Sequence, residues 1–80
     1  MPHLRLFAAA RDAAGTGRDD VQAATVGELL EVASKRYGAG FVEILKTCRV
    51  WVNGEAATLE TVISAADEVA VLPPVSGGAQ

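Results

Sequence analysis

The architecture of this chain can be predicted outward from residues 25–38, which read TVGELLEVASKRYG. Thr25 and Glu28 have the spacing of a capping box, in which two side chains accept hydrogen bonds from backbone N–H groups at a helix start. Apolar residues then recur every three or four positions, as on one helical face: Val26, Leu29, Leu30, Ala33 and Tyr37. Gly38 suits the left-handed conformation that ends many helices. This stretch predicts one amphipathic helix with an apolar face to bury.

Strand patterns precede the helix. Residues 4–8 alternate with a period of two, as a half-buried strand does. Turn residues over 11–17 follow, and residues 18–23 predict a second strand that returns beside the first.

Further strands follow the helix, after a short helical turn predicted over residues 41–45. Residues 49–52 and 55–57 predict two strands joined by Asn53-Gly54, the strongest hairpin signal in the chain. Residues 68–72 predict the last strand. Pro73-Pro74 ends it, because proline has no N–H group to donate to a sheet.

The order strand, strand, helix, strand, short strand, strand predicts an α+β fold of the β-grasp, ubiquitin-like type. We expect a mixed sheet of about five strands with one main helix on one face, and the last strand parallel to the first. The predicted domain covers residues 1–72, and we expect residues 73–80 to form an extended, flexible tail.

Composition excludes several classes of protein. The chain has 80 residues, of which 50% are hydrophobic, with one cysteine and one histidine. It therefore has no internal disulfide and too few ligands for a structural zinc site. The net charge is −3 and the basic residues are scattered, which argues against nucleic-acid binding. No apolar run is long enough to span a membrane and no signal peptide is visible, so we expect a cytoplasmic protein.

Strand alternation predicts an apolar patch on the sheet face away from the helix. Phe7, Trp51 and Leu72 fall on that face. Arg5, Arg49 and Glu68 fall on the same face. An exposed apolar patch rimmed by charge is typical of a partner interface. The alternatives are that a loop covers these residues or that a strand register is displaced by one.

The segment Pro73-Pro74-Val75-Ser76-Gly77-Gly78-Ala79-Gln80 predicts a chemical role for the tail. Successive glycines contribute nothing to a core, but they let backbone enter a slot too narrow for a Cβ atom. The hypothesis is a carrier that presents a terminal carboxyl group to another protein's active site.

With these elements placed, the chain resembles the small subunit of molybdopterin synthase, a sulfur carrier of the ubiquitin-like superfamily. The resemblance covers the whole length. It is carried by Leu6-Phe7-Ala8-Ala9-Ala10-Arg11, the helix start at residues 25–30, residues 52–55, and above all residues 67–78. That last segment contains, in order, an acidic pair, an apolar strand, Pro-Pro, a short spacer and Gly-Gly.

The resemblance implies a function. The carboxylate of Gly78, following Gly77, is adenylated by an ATP-dependent, ubiquitin-activating-like adenylyltransferase and then converted to a thiocarboxylate. The tail enters the large synthase subunit, which holds the active site, and donates sulfur to a pterin precursor of molybdenum cofactor. The chain itself binds no cofactor and no metal. Phe7, Ala56 and Leu72 occupy positions at which carriers of this family contact their partners. The expected interface also includes Trp51 and four residues of the tail: Pro73, Pro74, Val75 and Ser76. A heterotetramer of two carriers and a large-subunit dimer is implied.

Two departures from the family pattern matter. Ala79-Gln80 follows Gly78, so the carboxyl group of Gly78 is not free, and we expect a protease to remove the two residues. The alternatives are that the chain is inactive as a carrier, or that the natural chain lacks these residues. Ala66 precedes Asp67 where the family more often has glycine, which does not affect the chemistry.

Other functions remain open at this point. The chain could carry sulfur for thiamine, cysteine or another product, modify proteins through Gly78, or act as a binding module without covalent chemistry. Cys48 and His3 are interpreted as structural, because no activating base or ligand cluster accompanies them. Arg11 fits a turn-orienting role and a partner contact equally well.

Overall fold

The computed structural model describes residues 1–74 of the chain. Five strands and three helices form this part of the molecule. In chain order they are β1 (His3–Leu6), α1 (Ala8–Ala14), β2 (Arg18–Asp20), α2 (Val26–Tyr37), α3 (Ala39–Leu45), β3 (Arg49–Val52), β4 (Glu55–Ala56) and β5 (Glu68–Leu72).

The strands form one mixed sheet in the order β2-β1-β5-β3-β4. β1 and β5 run parallel in the centre, and every other neighbouring pair is antiparallel. The predicted α+β, β-grasp fold and the parallel placement of the last strand beside the first are confirmed.

The core lies between the sheet and the helices. Leu4 and Leu6 of β1 and Val69 and Val71 of β5 are buried, which confirms the alternation predicted for both strands. α2 contributes its predicted apolar face: Val26, Leu29, Leu30 and Ala33. Phe41 of α3 is fully buried, and its ring meets Tyr37 edge-on at a centroid distance of 5.2 Å.

The predicted caps of α2 are present, with one difference in detail. The Thr25 hydroxyl accepts a hydrogen bond from the Glu28 N–H at 3.2 Å. The Glu28 carboxylate accepts from the N–H of Ala24 at 2.9 Å, one residue before the expected position. Gly38 ends the helix at φ +93°, and its N–H donates to the Ser34 carbonyl at 3.0 Å.

The predictions for residues 8–23 need correction. β1 ends at Leu6, and a helix occupies most of the segment that was expected to be a turn. The sequence AAARDAA has high helix propensity. Ala8 at φ +50° turns the chain into α1, and Gly15 at φ +81° ends it. β2 stops at Asp20 instead of residue 23. The single main helix is accordingly joined by two shorter ones, since residues 41–45 belong to the seven-residue α3.

Within residues 1–74, no helix combines the length and apolar character that a bilayer crossing requires. The same part of the chain has no group of three or more His, Cys, Asp or Glu side chains arranged to hold a metal ion.

Candidate functional site: the outer face of the sheet

The outer face is the side of the sheet opposite α2. It carries Arg5 and Phe7 from β1 and its end, Arg49 and Trp51 from β3, Ala56 from β4, and Glu68, Ala70 and Leu72 from β5. The strand register brings these residues together. Trp51 lies directly opposite Ala70 on one side and Ala56 on the other. Arg49 lies opposite Leu72, and Arg5 lies beside Ala70.

Phe7 lies at the end of the outer face where β5 stops. Its backbone N–H donates to the Val71 carbonyl at 3.3 Å, which continues the β1–β5 pairing by one residue. The Phe7 ring is 38% exposed, and the Arg5 guanidinium lies 5.5 Å from the ring centroid. Arg5 also pairs with Glu68 at 3.2 Å. A large apolar ring therefore lies beside a charged pair on the solvent side of the sheet.

The exposure of this patch is graded. Phe7 and Ala56 are exposed, whereas Trp51 and Leu72 are part-buried. The strand register is the one that the sequence indicated, because the alternate residues Leu6, Val69 and Val71 are buried on the other side. The role of these residues as a partner interface stays a prediction.

The end of β5 lies next to Phe7. β5 ends at Leu72, Pro73 is part-buried and Pro74 is exposed. Val75, Ser76, Gly77 and Gly78 were predicted to carry the chemistry, and they lie outside the described residues. The division into a domain and a tail also stays a prediction.

A hydrogen-bonded turn holds the β3–β4 hairpin to the start of β5. Asn53 and Gly54 adopt φ +51° and +84°, as the hairpin signal predicts. The Asn53 side chain donates to Asp67 and accepts from the Glu68 N–H, both at 2.9 Å. The hydrogen bond from Asn53, with a second from the Ser64 N–H, lowers the pKa of the Asp67 carboxyl below its usual value. This turn fixes the register on which the outer face depends.

A separate cluster of polar side chains lies at the β2 edge of the sheet and joins β2 to α2. Asp19 accepts hydrogen bonds from the Tyr37 hydroxyl and from Arg36, the latter at 2.7 Å. Burial by itself would raise the pKa of Asp19, but the hydrogen bonds from Tyr37 and Arg36 outweigh it and the pKa is lowered. Burial and the contact with Asp19 raise the pKa of Tyr37 to about 12. The cluster is structural, because it fastens an edge strand to the main helix.

Cys48 and His3 have local partners. The Cys48 thiol donates to the Ile44 carbonyl at 3.2 Å, and burial raises its pKa, which disfavours the reactive thiolate. The His3 Nδ1 atom lies 2.8 Å from an Asp20 carboxylate oxygen. Neither residue lies in a catalytic arrangement within residues 1–74.

Sequence reasoning missed one feature of the site. Arg5, Arg11 and Arg18, which are scattered along the chain, line a single concavity next to Phe7. A signal was available, since Arg5 lies in the first strand, Arg18 in its return and Arg11 between them. The intervening helix α1 had not been predicted, so their convergence was not visible.

The fold and the outer face define a small ubiquitin-like protein, and Gly77-Gly78 follows its last strand in the sequence. A family model described as "ThiS family" matches residues 4–78. The chain belongs to that family.

Known proteins support the resemblance to the carrier subunits. The chain is 39% identical over 59 residues to the molybdopterin synthase sulfur carrier subunit of Phaeosphaeria nodorum. That alignment covers 64% of this chain and 62% of the relative, so the chain spans less than two thirds of the relative's length.

Solved structures share the fold. SAMP1 from Haloferax volcanii superposes with a TM-score of 0.80 at 36% identity, covering 96% of this chain and 98% of that one. A complex of subunits 1 and 2 of molybdopterin-converting factor from Helicobacter pylori contains a chain with a TM-score of 0.70 at 23% identity, covering 96% and 97%. The second likeness shows the fold alone.

Proposed function

We propose that this chain is the sulfur carrier subunit of a molybdopterin synthase. The observation that carries the proposal is the extent of the family match, which runs through the whole domain and ends at the second glycine, residue 78. The name of the Phaeosphaeria nodorum relative supports the same function.

The proposed chemistry takes place at the carboxyl group of Gly78. An adenylyltransferase joins this carboxylate to AMP at the expense of ATP and releases pyrophosphate. A carboxylate is a poor electrophile, and AMP gives it a good leaving group. With hydrosulfide as the nucleophile, a C–S bond forms, AMP leaves with the C–O electron pair, and a thiocarboxylate results. The carrier supplies no acid, base or cofactor, because its partners supply them.

The proposed partner surface is the outer face with the tail. Phe7, Trp51, Ala56 and Leu72 would bind the large synthase subunit while residues 73–78 enter its active site. There the thiocarboxylate would donate sulfur to the pterin precursor. The Helicobacter pylori structure is a complex of subunits 1 and 2 of molybdopterin-converting factor, which supports a pairing of this kind. A heterotetramer of two carriers and two large subunits is part of the proposal.

Activation requires a free carboxyl group, and Ala79 follows Gly78 in the chain. We therefore propose that a protease hydrolyses the Gly78–Ala79 peptide bond before adenylation. A carboxyl group at residue 80 would lie about 7 Å too far along an extended chain. It would also follow residues with side chains that a glycine-sized channel excludes.

A protein modifier is the second candidate. The Haloferax volcanii SAMP1 structures favour it, since one of them is described as small archaeal modifier protein 1 and is 32% identical to this chain. In that case Gly78 would form an amide bond with lysines of target proteins. A carrier for thiamine, cysteine or another sulfur-containing product would use the same first steps as the synthase subunit.

Intact mass spectrometry tests these functions. A chain ending at Gly78 would be incubated with an activating enzyme, ATP and a sulfur source, with the full-length chain and a Gly78→Ala variant as controls. We expect one oxygen to be replaced by sulfur in the chain ending at Gly78 and not in the full-length chain. Conjugates with other proteins would indicate a modifier. An unchanged mass would exclude carrier chemistry, and thiocarboxylation of the full-length chain would contradict the need for processing.

A further inference from the structure

We propose that Arg5, Arg11 and Arg18 form a cationic cradle that receives carboxylate side chains of the protein docked on the outer face. The inference rests on the proposed function in taking that protein to be the large synthase subunit. It adds the electrostatic part of recognition, which the apolar patch does not supply.

The cradle is a concavity of about 460 Å³ at the end of β1. Its three arginines come from β1, α1 and β2, and Phe7 forms part of its wall. No aspartate or glutamate from residues 1–74 lines it. Guanidinium groups gathered in one concavity repel each other, and an anion between them relieves that repulsion.

Arg11 and Arg18 are held in place by the turn between α1 and β2. A Cβ atom added to Gly17 would lie 3.4 Å from Cδ and Nε of Arg11, so the arginine stem lies along the glycine backbone. Thr16 Oγ1 donates to the Arg18 carbonyl at 3.0 Å and accepts from the Arg18 N–H at 3.3 Å. These contacts fix the backbone of Arg18 and place the stem of Arg11 against the turn.

The donors of the cradle are largely available. Among the described residues, Arg11 and Arg18 form no salt bridge, and both are exposed. Within residues 1–74, Arg5 forms one ion pair, in which one guanidinium nitrogen lies 3.2 Å from a carboxylate oxygen of Glu68. A guanidinium has five N–H donors in a planar fork that matches a carboxylate. Unused guanidinium donors therefore converge on one concavity.

The position of the cradle favours a protein partner. Phe7 borders it, and Leu72 lies on the neighbouring strand β5, so cationic and apolar groups form one continuous surface. Arginine around a buried aromatic anchor is typical of protein interfaces. A nucleic acid would meet a chain of net charge −3 without an extended basic stripe.

Charge reversal tests the cradle. Association of the full chain with the large synthase subunit would be measured by surface plasmon resonance at low and high salt. The double variant Arg11→Glu/Arg18→Glu would be compared with Lys35→Glu/Lys46→Glu, which changes the charge equally at positions away from the outer face. We expect the cradle variant to associate about tenfold more slowly at low salt, and the difference to shrink at high salt. Thermal unfolding would verify that both variants are folded.

Each outcome decides the matter. No binding of the unaltered chain, in full-length form and ending at Gly78, overturns the proposed function and this inference with it. Binding of the unaltered chain with equal slowing in both double variants overturns the cradle alone. Normal partner binding by the cradle variant, together with phosphate-induced NMR shifts at Arg11 and Arg18 in the unaltered chain, would assign a small-anion site instead. Capture of a labelled single-stranded oligonucleotide that the cradle variant loses would assign nucleic acid.

Discussion

The backbone N–H of Phe7 donates to the carbonyl of Val71 at 3.3 Å. This hydrogen bond places the most exposed aromatic ring of the outer face beside the last residues of β5, from which the tail begins. A partner that binds the Phe7 ring is thereby positioned within a few residues of the start of the tail. Under the proposed function, this backbone contact would link docking of the partner to delivery of the residues after β5.

Phe7→Arg should weaken partner binding without unfolding the domain. The ring lies on the solvent side of the sheet, and substitutions at such positions usually change stability by about 0.5 kcal/mol or less. Loss of an aromatic anchor should lower affinity for the large subunit about tenfold or more. Ala39→Arg is the control, because Ala39 is exposed and begins α3, which packs on the opposite side of the sheet from Phe7. A collapse of Tm in Phe7→Arg would show that the ring belongs to the core.

Phe41→Ala should destabilise the domain strongly. The side chain is fully buried and packs edge-on against Tyr37, so truncation leaves a cavity. We expect a loss of about 3–5 kcal/mol in the free energy of unfolding, measured with urea. Phe41→Leu fills more of the space and should cost about 1–2 kcal/mol. Equal stability of both variants and the unaltered chain would contradict the placement of α3 over the core.

Stability should fall at alkaline pH because of Tyr37. Its folded pKa is raised to about 12 from an ordinary value of 10.0. Folding therefore favours the neutral phenol over the phenolate. The contribution of the neutral phenol to the free energy of unfolding is complete below pH 10 and is lost as the pH rises through the folded pKa. Tyr37→Phe should lower the free energy of unfolding by about 1 kcal/mol at neutral pH and should remove this dependence on alkaline pH. Unfolding curves of both proteins between pH 8 and pH 12, which span the cited shift, should converge on the alkaline side. A constant difference would contradict the contact with Asp19.

Asn53→Gly should raise the pKa of Asp67. The substitution keeps the left-handed turn but removes the side-chain hydrogen bond that is the main cause of the lowered pKa. A carboxyl group with a depressed folded pKa contributes stability above its unfolded pKa and loses it as pH falls. The acid sensitivity of the variant should accordingly decrease. NMR titration of the Asp67 carboxyl in the variant and in the unaltered chain measures the shift.

Two glycine substitutions should have opposite signs. Gly54 has φ +84° with open space where a Cβ atom would lie, so Gly54→Ala would suffer backbone strain of about 1 kcal/mol and no clash. Gly40 lies in α3 without a positive φ and with equally open space. Gly40→Ala should therefore stabilise the domain by about 0.5–1 kcal/mol. Thermal unfolding of both variants compares them, and destabilisation by Gly40→Ala would contradict the helical assignment.

Much of the fold could be predicted because its signals are local. The Thr25–Glu28 cap, the stop at Gly38 and the Asn53-Gly54 hairpin each depend on residues a few positions apart. The period-two alternation also assigned Leu6 and Val71 to the buried face of the sheet, because successive side chains of a strand point to opposite faces. It assigned Phe7 and Leu72 to the outer face. Helix α1 was missed because a seven-residue helix has a weak signal, and the turn into it requires Ala8 at φ +50°, which alanine rarely adopts.

The amino-acid sequence alone specified most of the helices and strands, the faces that they bury and the Gly-Gly segment. Caps, turns and hydrophobic periodicity each depend on residues that are only a few positions apart. Packing of α1 and the sheet determined which distant residues meet. Arg5, Arg11 and Arg18 belong to three different elements, and only the pairing of β1 with β2 around α1 brings them to Phe7. Such convergence depends on the burial of a shared core, a long-range effect that no short stretch of sequence contains.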